Sequence, residues 1–352
     1  MRRTALLILI LAAALSACQS GPVQVVQSKW QQAFHPCPAE SIGDFPVWSA
    51  DGARIAYSSD RSGSKEIYVI SVDDRVSRRL THVGGSGATP RMWSSDGKQL
   101  LINSQYQAGV INADGTGWAN MGFPTAAVNG IWSPDSSHLA FITIVGDRPN
   151  YTGSLFVADA NGSNPTLMFS AGWLSDPAWS PDGKQIAFQK HDVLINKYRL
   201  MIINADGTNP VQIGDQFLLV ENPIRWSPDG HRLAFQSVSA ELDVINADGT
   251  GLMQLATVAA SDYIWLRDGS ALVVQSSNYY GDRIELVSLD GTIRPLAFLT
   301  GGHAVLSPDA SKVVHVSNKQ GLDDLYVMNI DGTDKIRLTH NPGYNTCFDW
   351  PF

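Results

Sequence analysis

Aspartate is the residue type whose spacing in this chain most invites a chemical interpretation, because carboxylates serve as acids, bases and metal ligands. One aspartate recurs in each of seven similar short segments, at Asp51, Asp96, Asp135, Asp182, Asp229, Asp268 and Asp309. A catalytic centre combines unlike groups, such as a nucleophile with a base. Identical residues repeated in the same setting, beside Pro, Ser or Gly, instead indicate a repeated turn.

Other residue types add no motif of a catalytic or metal centre. The eight histidines are scattered, at His35, His82, His138, His191, His231, His303, His315 and His340. The Asp-Gly-Thr segments offer one carboxylate each, whereas calcium takes several oxygen ligands. The sequence contains no Gly-x-Ser-x-Gly segment of the hydrolase type. We therefore predict no catalytic residue, no metal site and no cofactor, and an enzymatic role is left undecided but less favoured.

The repeated segments also indicate the elements that carry these residues. An aromatic anchor precedes most of the turns, at Trp48, Trp93, Trp132, Trp179, Trp226 and Trp265, with Leu306 in the seventh place and Trp350 near the end. The anchors recur at intervals of roughly forty residues, which is typical of propeller and solenoid architectures. Because one such unit cannot bury both faces of its own sheet, neighbouring units must pack face to face.

The fourth unit shows the predicted elements most clearly. Pro181-Asp182-Gly183 suits a tight turn, and Ile186-Ala187-Phe188 follows as a second strand. Residues 200–203 form a third strand, Asp206-Gly207-Thr208 a second turn and residues 211–213 an outer strand. The fold class predicted is all-β: a β-propeller of seven full four-stranded repeats plus a closing strand unit, with seven or eight blades.

These repeats resemble those of a known family. The Trp-Ser-Pro-Asp-Gly turn, the Ile-Ala-Phe strand, the Asp-Gly-Thr turn and the closing Leu-Thr pair are similar to the WD-like Pro-Asp propeller repeat of the TolB family, over about residues 45–352. The resemblance implies a propeller that serves as a partner-binding scaffold, a gate on a peptidase or, occasionally, a lyase. It also implies that residues 345–351 pair with strands drawn from residues 23–34.

The amino-terminal residues predict export and lipid anchoring. Arg2 and Arg3 precede a short apolar run, and Leu15-Ser16-Ala17-Cys18 looks like the lipobox of a bacterial lipoprotein. An ordinary secretory signal with a chance cysteine is the alternative. We expect a signal peptide over 1–17, a lipidated tether and closing segment over 18–40 and a single propeller domain over 41–352. The protein would lie in the cell envelope, anchored to a membrane through acyl chains such as palmitate, and be periplasmic or exposed at the cell surface.

The other two cysteines are Cys37, before the first repeat, and Cys347, near the last anchor. An even remainder in an exported protein suggests a disulfide bond, and two free buried thiols are the alternative. On the chain-entropy account, such a bond would stabilise the fold by about 5 kcal/mol, less any strain.

Charge and position then indicate a candidate site. The formal net charge of −8 argues against nucleic acid as a partner. Propellers bind at the channel mouth where the inner strands begin, and polar residues precede four anchors: Asn129, Asp176, Asp262 and His303, adjoined by Arg91 and Tyr263. We expect these residues to form a mainly acidic rim. The alternative is that they are ordinary strand-start residues whose polar groups hydrogen-bond to the backbone or to water.

Two functions are consistent with these patterns. The first is a lipid-anchored, non-enzymatic envelope scaffold that binds a protein or peptide partner through the rim. The alternative is an envelope carbohydrate lyase or hydrolase that uses the central channel, and a structural subunit of a larger complex is a third possibility. A binding function requires only a shaped polar rim, whereas an enzyme needs a metal or a carboxylate pair at the axis.

The lipobox leads to a direct test. Replacing Cys18 with Ala removes the thiol that would receive the lipid, so we expect an unprocessed or mislocalised precursor. Metabolic labelling with a fatty acid and membrane fractionation measure this, with Cys37→Ala as the control that should still be labelled. Normal maturation and membrane retention of Cys18→Ala would refute the lipobox assignment.

Overall fold

A computed structural model describes residues 46–339, apart from residues 60–61, 63, 83–86, 105–106, 123–128, 147–151, 193–194, 196, 219–221, 259, 279–280, 300–303 and 318–323. The side chains of residues 104, 129, 277–278, 281 and 317 are also outside the description. Cys18, Cys37, Cys347 and His303 therefore lie outside the described residues, as do the predicted closing strands. All the described residues belong to the compact unit Ser41–Phe352.

The described part of the chain contains twenty-eight strands and no helix. Strands of the first four blades are β1 (Val47–Trp48), β2 (Arg54–Ser59), β3 (Glu66–Ser71), β4 (Ser77–Arg79); β5 (Ala88–Trp93), β6 (Gln99–Ser104), β7 (Ala108–Asn112), β8 (Ala119–Asn120); β9 (Asn129–Trp132), β10 (His138–Val145), β11 (Thr152–Asp159), β12 (Thr166–Ala171); β13 (Leu174–Trp179), β14 (Gln185–Asp192), β15 (Lys197–Asn204), β16 (Val211–Leu218). None of the described residues forms a helix suited to crossing a membrane.

The remaining strands complete three further blades. They are β17 (Arg225–Trp226), β18 (Arg232–Gln236), β19 (Glu241–Asn246), β20 (Met253–Thr257); β21 (Ala260–Trp265), β22 (Ala271–Asn278), β23 (Gly281–Ser288), β24 (Ile293–Leu299); β25 (Ala304–Leu306), β26 (Lys312–Ser317), β27 (Asp324–Asn329), β28 (Ile336–Arg337). Each set of four consecutive strands forms one antiparallel sheet in chain order.

The seven sheets are the blades of a seven-bladed β-propeller. First strands of successive blades contact one another, as β1 contacts β5 and β17 contacts β21, which makes them the innermost strands of the ring. Blade 7 packs directly on blade 1, where Val314 and Leu325 share an apolar cluster with Tyr57 and Ile70. Of the two blade counts predicted from the sequence, seven is therefore the one observed.

The repeated aspartates close the turns between the first and second strands. In blade 4, Ser180 Oγ donates to Asp182 Oδ1 over 2.6 Å, and the amide of Lys184 donates to the same oxygen over 3.1 Å. Gly183 completes this turn at φ 71°, a left-handed conformation that glycine adopts without strain. The Ser180 hydrogen bond is the main reason that the pKa of Asp182 lies below its ordinary value. These contacts give the aspartates a structural role.

Packing between adjacent blades forms the core. The cluster between blades 4 and 5 joins Leu200 and Ile202 of one sheet to Leu233 and Phe235 of the next, and all four are at most 2% exposed. Burial of such side chains contributes about 1.5–3 kcal/mol each. Because each apolar cluster combines residues of two neighbouring sheets, the ring is stabilised only when every blade has a neighbour.

The anchor tryptophans add a hydrogen bond across most of these interfaces. Trp226 Nε1 donates to the carbonyl of Ala178 in the preceding blade over 3.0 Å. The same bond to the preceding first strand is made by Trp48, Trp93, Trp179 and Trp265. Trp132 Nε1 is buried without a hydrogen-bond partner among the described residues. Leu306, in the seventh place, has no such donor, so blades 6 and 7 lack this bond.

Polar side chains of the second strands link several of the blades to the following one. Gln189 Nε2 donates to the carbonyl of Asn222 over 3.0 Å, and Gln275 Nε2 donates to that of Ala304 over 3.0 Å. Ser58 Oγ makes the corresponding bond to Ala88 over 2.9 Å. These buried groups satisfy carbonyls near the start of the next first strand and thereby position the channel mouth.

Two tryptophan variants together measure how much the indole hydrogen bond contributes to the free energy of unfolding. Trp226→Phe and Trp132→Phe remove the same ring atoms, but only the first removes a hydrogen bond to a neighbouring blade. We expect Trp226→Phe to lower the free energy of unfolding by about 1 kcal/mol more than Trp132→Phe does. Chemical denaturation of both variants measures the difference, and equal losses would show that packing alone joins the blades.

Blade 5 differs from blades 1 and 3 at one buried position. Asp243 in β19 stands opposite Phe235, where blades 1 and 3 place aromatic rings in stacked pairs. It is 1% exposed, and its Oδ1 has no hydrogen-bond partner in the described part of the chain. Burial, with Glu241 adding to the effect, raises the pKa of Asp243 to about 7.

Asp243 should make stability depend on pH in a defined direction. Between about pH 4 and pH 7 the unfolded chain has lost this proton while the folded protein retains it, so the free energy of unfolding falls as the pH rises. We expect the melting temperature of Asp243→Asn, relative to the parent, to rise between pH 4 and pH 8. Thermal unfolding across this range measures the change.

Asp248→Asn in the same blade serves as the control. The hydrogen bond from Thr250 is the main cause that lowers the pKa of Asp248, so this carboxyl does not acquire the raised pKa on folding that Asp243 has. Its melting temperature relative to the parent should stay flat between pH 4 and pH 8. Matching pH trends for the two variants would mean that Asp243 does not titrate as described.

Candidate binding site

A cavity of about 220 Å³ lies among the first strands of four successive blades. Its lining consists of Arg91, Met92, Gly130, Ile131, Asp176, Pro177, Pro223, Ile224 and Arg225. Two residues predicted from the sequence, Arg91 and Asp176, therefore share this cavity. Asn129 begins β9 opposite Ile142, but its side chain is outside the description, as is the whole of His303.

Irregular pairing directs side chains of these first strands into the channel mouth. The register shifts between Pro90 and Met92 in β5, and between Ser175 and Ala178 in β13. Such bulges change the direction of a side chain and are frequent beside functional sites. Asp176 lies within the second bulge at φ 53°, a left-handed conformation that aspartate tolerates better than most residues.

Arg225 is the residue that connects the charges of this site. Its Nη2 lies 3.0 Å from Asp262 Oδ1, and its Nε donates to the carbonyl of Tyr263 over 3.2 Å. Burial disfavours the charged guanidinium, but the carboxylates of Asp262 and Asp176 outweigh it and hold the pKa of Arg225 above its ordinary value. The Arg225 side chain is 38% exposed, so the ion pair remains accessible from the channel.

Arg225 was not predicted from the sequence, although the sequence contains a signal for it. The residue just before each anchor is apolar in the other blades: Val47, Met92, Ile131, Ala178, Ile264 and Val305. A charged residue at this one position of the repeat departs from the pattern, and such departures mark functional or strained sites. The expected acidic rim is consequently a mixed one, in which a guanidinium neutralises the carboxylates.

A second guanidinium lies at the other side of the cavity. With the Asn103 amide oriented so that its oxygen faces Arg91, that oxygen accepts hydrogen bonds from Nη2 and Nε over 3.0 and 2.8 Å. Asn103 is 6% exposed and belongs to the second strand of the same blade, so it holds the guanidinium in a fixed plane. Burial lowers the pKa of Arg91.

Tyr263 does not present its ring at the rim. It is fully buried, and its hydroxyl donates to the carbonyl of Pro223 in the preceding blade. Burial raises the pKa of the Tyr263 hydroxyl. The side chain therefore positions the first strands of blades 5 and 6, and the backbone amide of Tyr263 donates to Asp262 Oδ1 over 2.8 Å.

The arrangement is suited to holding a small polar or charged group against an apolar floor. Arg91, Arg225, Asp176 and Asp262 offer both donors and acceptors, while Met92, Ile131, Ile224 and two prolines line the cavity between them. A volume of about 220 Å³ corresponds to roughly seven water molecules, which is room for one side chain. Within the described ranges, no three metal-ligating side chains come together.

Comparison with known proteins places the fold. No protein-family model matches the chain. An uncharacterised Agrobacterium fabrum protein, Atu1656, is 29% identical over 160 residues, which is 41% of this chain and 53% of that protein. The chain thus spans about half the length of this relative.

Two solved structures extend the comparison to most of the ring. An oligogalacturonate lyase in complex with manganese superposes with a TM-score of 0.63 at 18% identity, covering 80% of this chain and 87% of the other. TolB from Acinetobacter baumannii superposes with a TM-score of 0.50 at 13% identity, covering 78% and 75%. The chain has a TolB-like β-propeller fold.

Proposed function

We propose that this protein is a lipid-anchored β-propeller of the bacterial cell envelope that binds a protein or peptide partner at the channel mouth, without turnover. The observation that carries the proposal is the accessible ion pair of Arg225 with Asp262, which lies beside the cavity that Arg91 and Asp176 line. A rigid ring that presents a few charged groups around a small apolar cavity matches the anatomy of a binding site.

Size and charge of the cavity support a partner that inserts one side chain. An extended ligand would need a larger cleft than about 220 Å³, whereas one side-chain tip of a folded partner fits. The charges would orient that tip and raise the rate of encounter more than they raise affinity. The first strand of blade 5 holds Arg225 in place, because it is hydrogen-bonded to blade 4 through Trp226 and to blade 6 through Arg225 itself.

The envelope location rests on the lipobox-like Leu15-Ser16-Ala17-Cys18 segment and on the likeness to TolB. A diacylglyceryl group with an amide-linked acyl chain provides the two anchoring signals that stable membrane attachment requires. An anchored ring near a membrane surface meets envelope proteins at high local concentration, so even a modest affinity at the mouth is useful.

A carbohydrate lyase or hydrolase is the second candidate. The oligogalacturonate lyase superposition favours it, since that enzyme has the same ring over 80% of this chain. In this case Asp176 and Asp262 would act on a sugar in the channel, with Arg91 and Arg225 beside its acidic groups. The two candidates differ in what the same carboxylates do: they hold a partner in one and move a proton in the other.

Removing both carboxylates tests the binding proposal. Asp176→Asn with Asp262→Asn keeps the side-chain shapes, and asparagine tolerates the left-handed backbone at position 176 as well as aspartate does. We expect capture of a partner with a basic tip to weaken about twofold to tenfold, most strongly at low salt. Crosslinking in intact envelopes, quantified by mass spectrometry, measures the loss while the melting temperature shows that the fold is retained.

Asp290→Asn with Asp331→Asn is the matched control, because it removes two charges from exposed turns far from the mouth. Its capture should equal that of the parent. Capture that is unchanged in the Asp176 and Asp262 variant contradicts the proposal. Capture that increases would mean that the partner brings an acid to Arg225, and manganese-dependent cleavage of oligogalacturonate would establish the enzyme instead.

A further inference from the structure

A larger cavity of about 330 Å³ lies between blades 3 and 4, at the opposite end of the first strands from the channel mouth. The turns of the two blades form its walls, through Asp135 and Pro134 on one side and Asp182 and Gly183 on the other. Trp179, the anchor of blade 4, forms part of its floor. We call this cavity the 3/4 groove.

The equivalent groove between blades 1 and 2 is filled by an arginine of the protein itself. Arg54 places its guanidinium carbon 4.7 Å from the ring centroid of Trp93, the anchor of blade 2. Its Nη2 donates to the carbonyl of Gly97 over 2.7 Å and lies 3.8 Å from Asp51 Oδ2. An aromatic face, a turn carbonyl and a turn carboxylate thus receive one guanidinium.

Blades 5 and 6 repeat part of this arrangement. Arg232 occupies the position of Arg54, three residues after the turn aspartate, and its guanidinium carbon lies 5.9 Å from the Trp265 ring centroid. Its Nη2 lies 4.0 Å from Asp229 Oδ2. In two grooves of the ring, therefore, a guanidinium lies against the anchor tryptophan and near the turn aspartate.

The 3/4 groove has the same three groups, an aromatic face, a turn carbonyl and a turn carboxylate, but no arginine among the described residues fills it. His138 occupies the position of Arg54, and its Nδ1 lies 2.6 Å from the exposed hydroxyl of Ser137. In the first groove a β-carbon at Gly97 would lie 2.7 Å from Arg54 Nη2, whereas Gly183 and His138 both line the open cavity of the 3/4 groove. The space that a guanidinium fills in the first groove is open in this one.

We propose that the 3/4 groove binds an arginine side chain of a partner protein. The guanidinium would stack on Trp179, donate to the carbonyl of Gly183 and pair with Asp135, as Arg54 does with Trp93, Gly97 and Asp51. Hydrogen bonds from Ser133 and Ser137 lower the pKa of Asp135 to about 2, so this carboxylate is ionised at neutral pH. Lysine lacks the planar fork and stacks less well, so it should be a weaker ligand.

Two short peptides test the proposal on the purified full-length protein. Ac-Gly-Arg-Gly-NH₂ and Ac-Gly-Lys-Gly-NH₂ carry the same charge, so a difference between them reports the guanidinium. We expect the arginine peptide to shift the amide resonance of Gly183 and the indole resonance of Trp179 saturably in NMR titrations. The lysine peptide, and the arginine peptide with Asp135→Asn, should bind about twofold to fivefold more weakly.

His138→Arg supplies the missing side chain and should fill the groove from within. We expect it to abolish the Gly183 shift and to raise the melting temperature, while His82→Arg, which adds the same charge at an exposed position remote from these turns, leaves the shift intact. Arg54→Ala should open the first groove and add a second set of shifts at Gly97. Equal responses to both peptides, no saturable shift at Gly183, or unchanged binding in His138→Arg would overturn the proposal.

Discussion

Contact between neighbouring blades is the constraint on which the rest of this structure depends. No single sheet has a core of its own, because each apolar cluster combines residues of two blades. In five of the blades the anchor tryptophan serves this contact twice: its ring fills the interface, and its indole nitrogen donates to a first-strand carbonyl of the preceding blade. Second-strand residues such as Gln189 and Gln275 make the reverse connection. The channel mouth is rigid because its strands are held from both sides.

The pairing of charges at the channel mouth depends on this contact between blades. Arg225 reaches Asp262 because the first strands of blades 5 and 6 lie side by side, with the Tyr263 hydroxyl bonded to Pro223. A partly exposed ion pair of this kind adds little to stability, since solvent screens it. In the proposed binding function its value is orientation, because fixed donors and acceptors would meet a partner without reorganisation.

The grooves on the opposite face differ from one another in one residue of the repeat. Every blade contributes the same turn, yet the residue three positions after the turn aspartate differs: it is Arg54, His138 or Arg232 in three of the blades. Where it is arginine, the guanidinium completes the interface over a tryptophan ring. Where it is His138, the same walls enclose an open cavity. A different residue at this one position of the repeat therefore leaves a cavity where two other grooves hold a guanidinium.

The sequence by itself determined the fold class, the four-strand unit and the structural role of the repeated aspartates, because these depend on short-range periodicity and turn chemistry within one unit. The blade count was decided by the tertiary structure, since closure depends on how blade 7 packs against blade 1. Asp176 and Arg91, predicted from their place before the anchors, line one cavity, whereas Arg225 was not predicted and Tyr263 is buried. These outcomes depend on contacts between residues about forty positions apart, whose geometry exists only once the ring has closed.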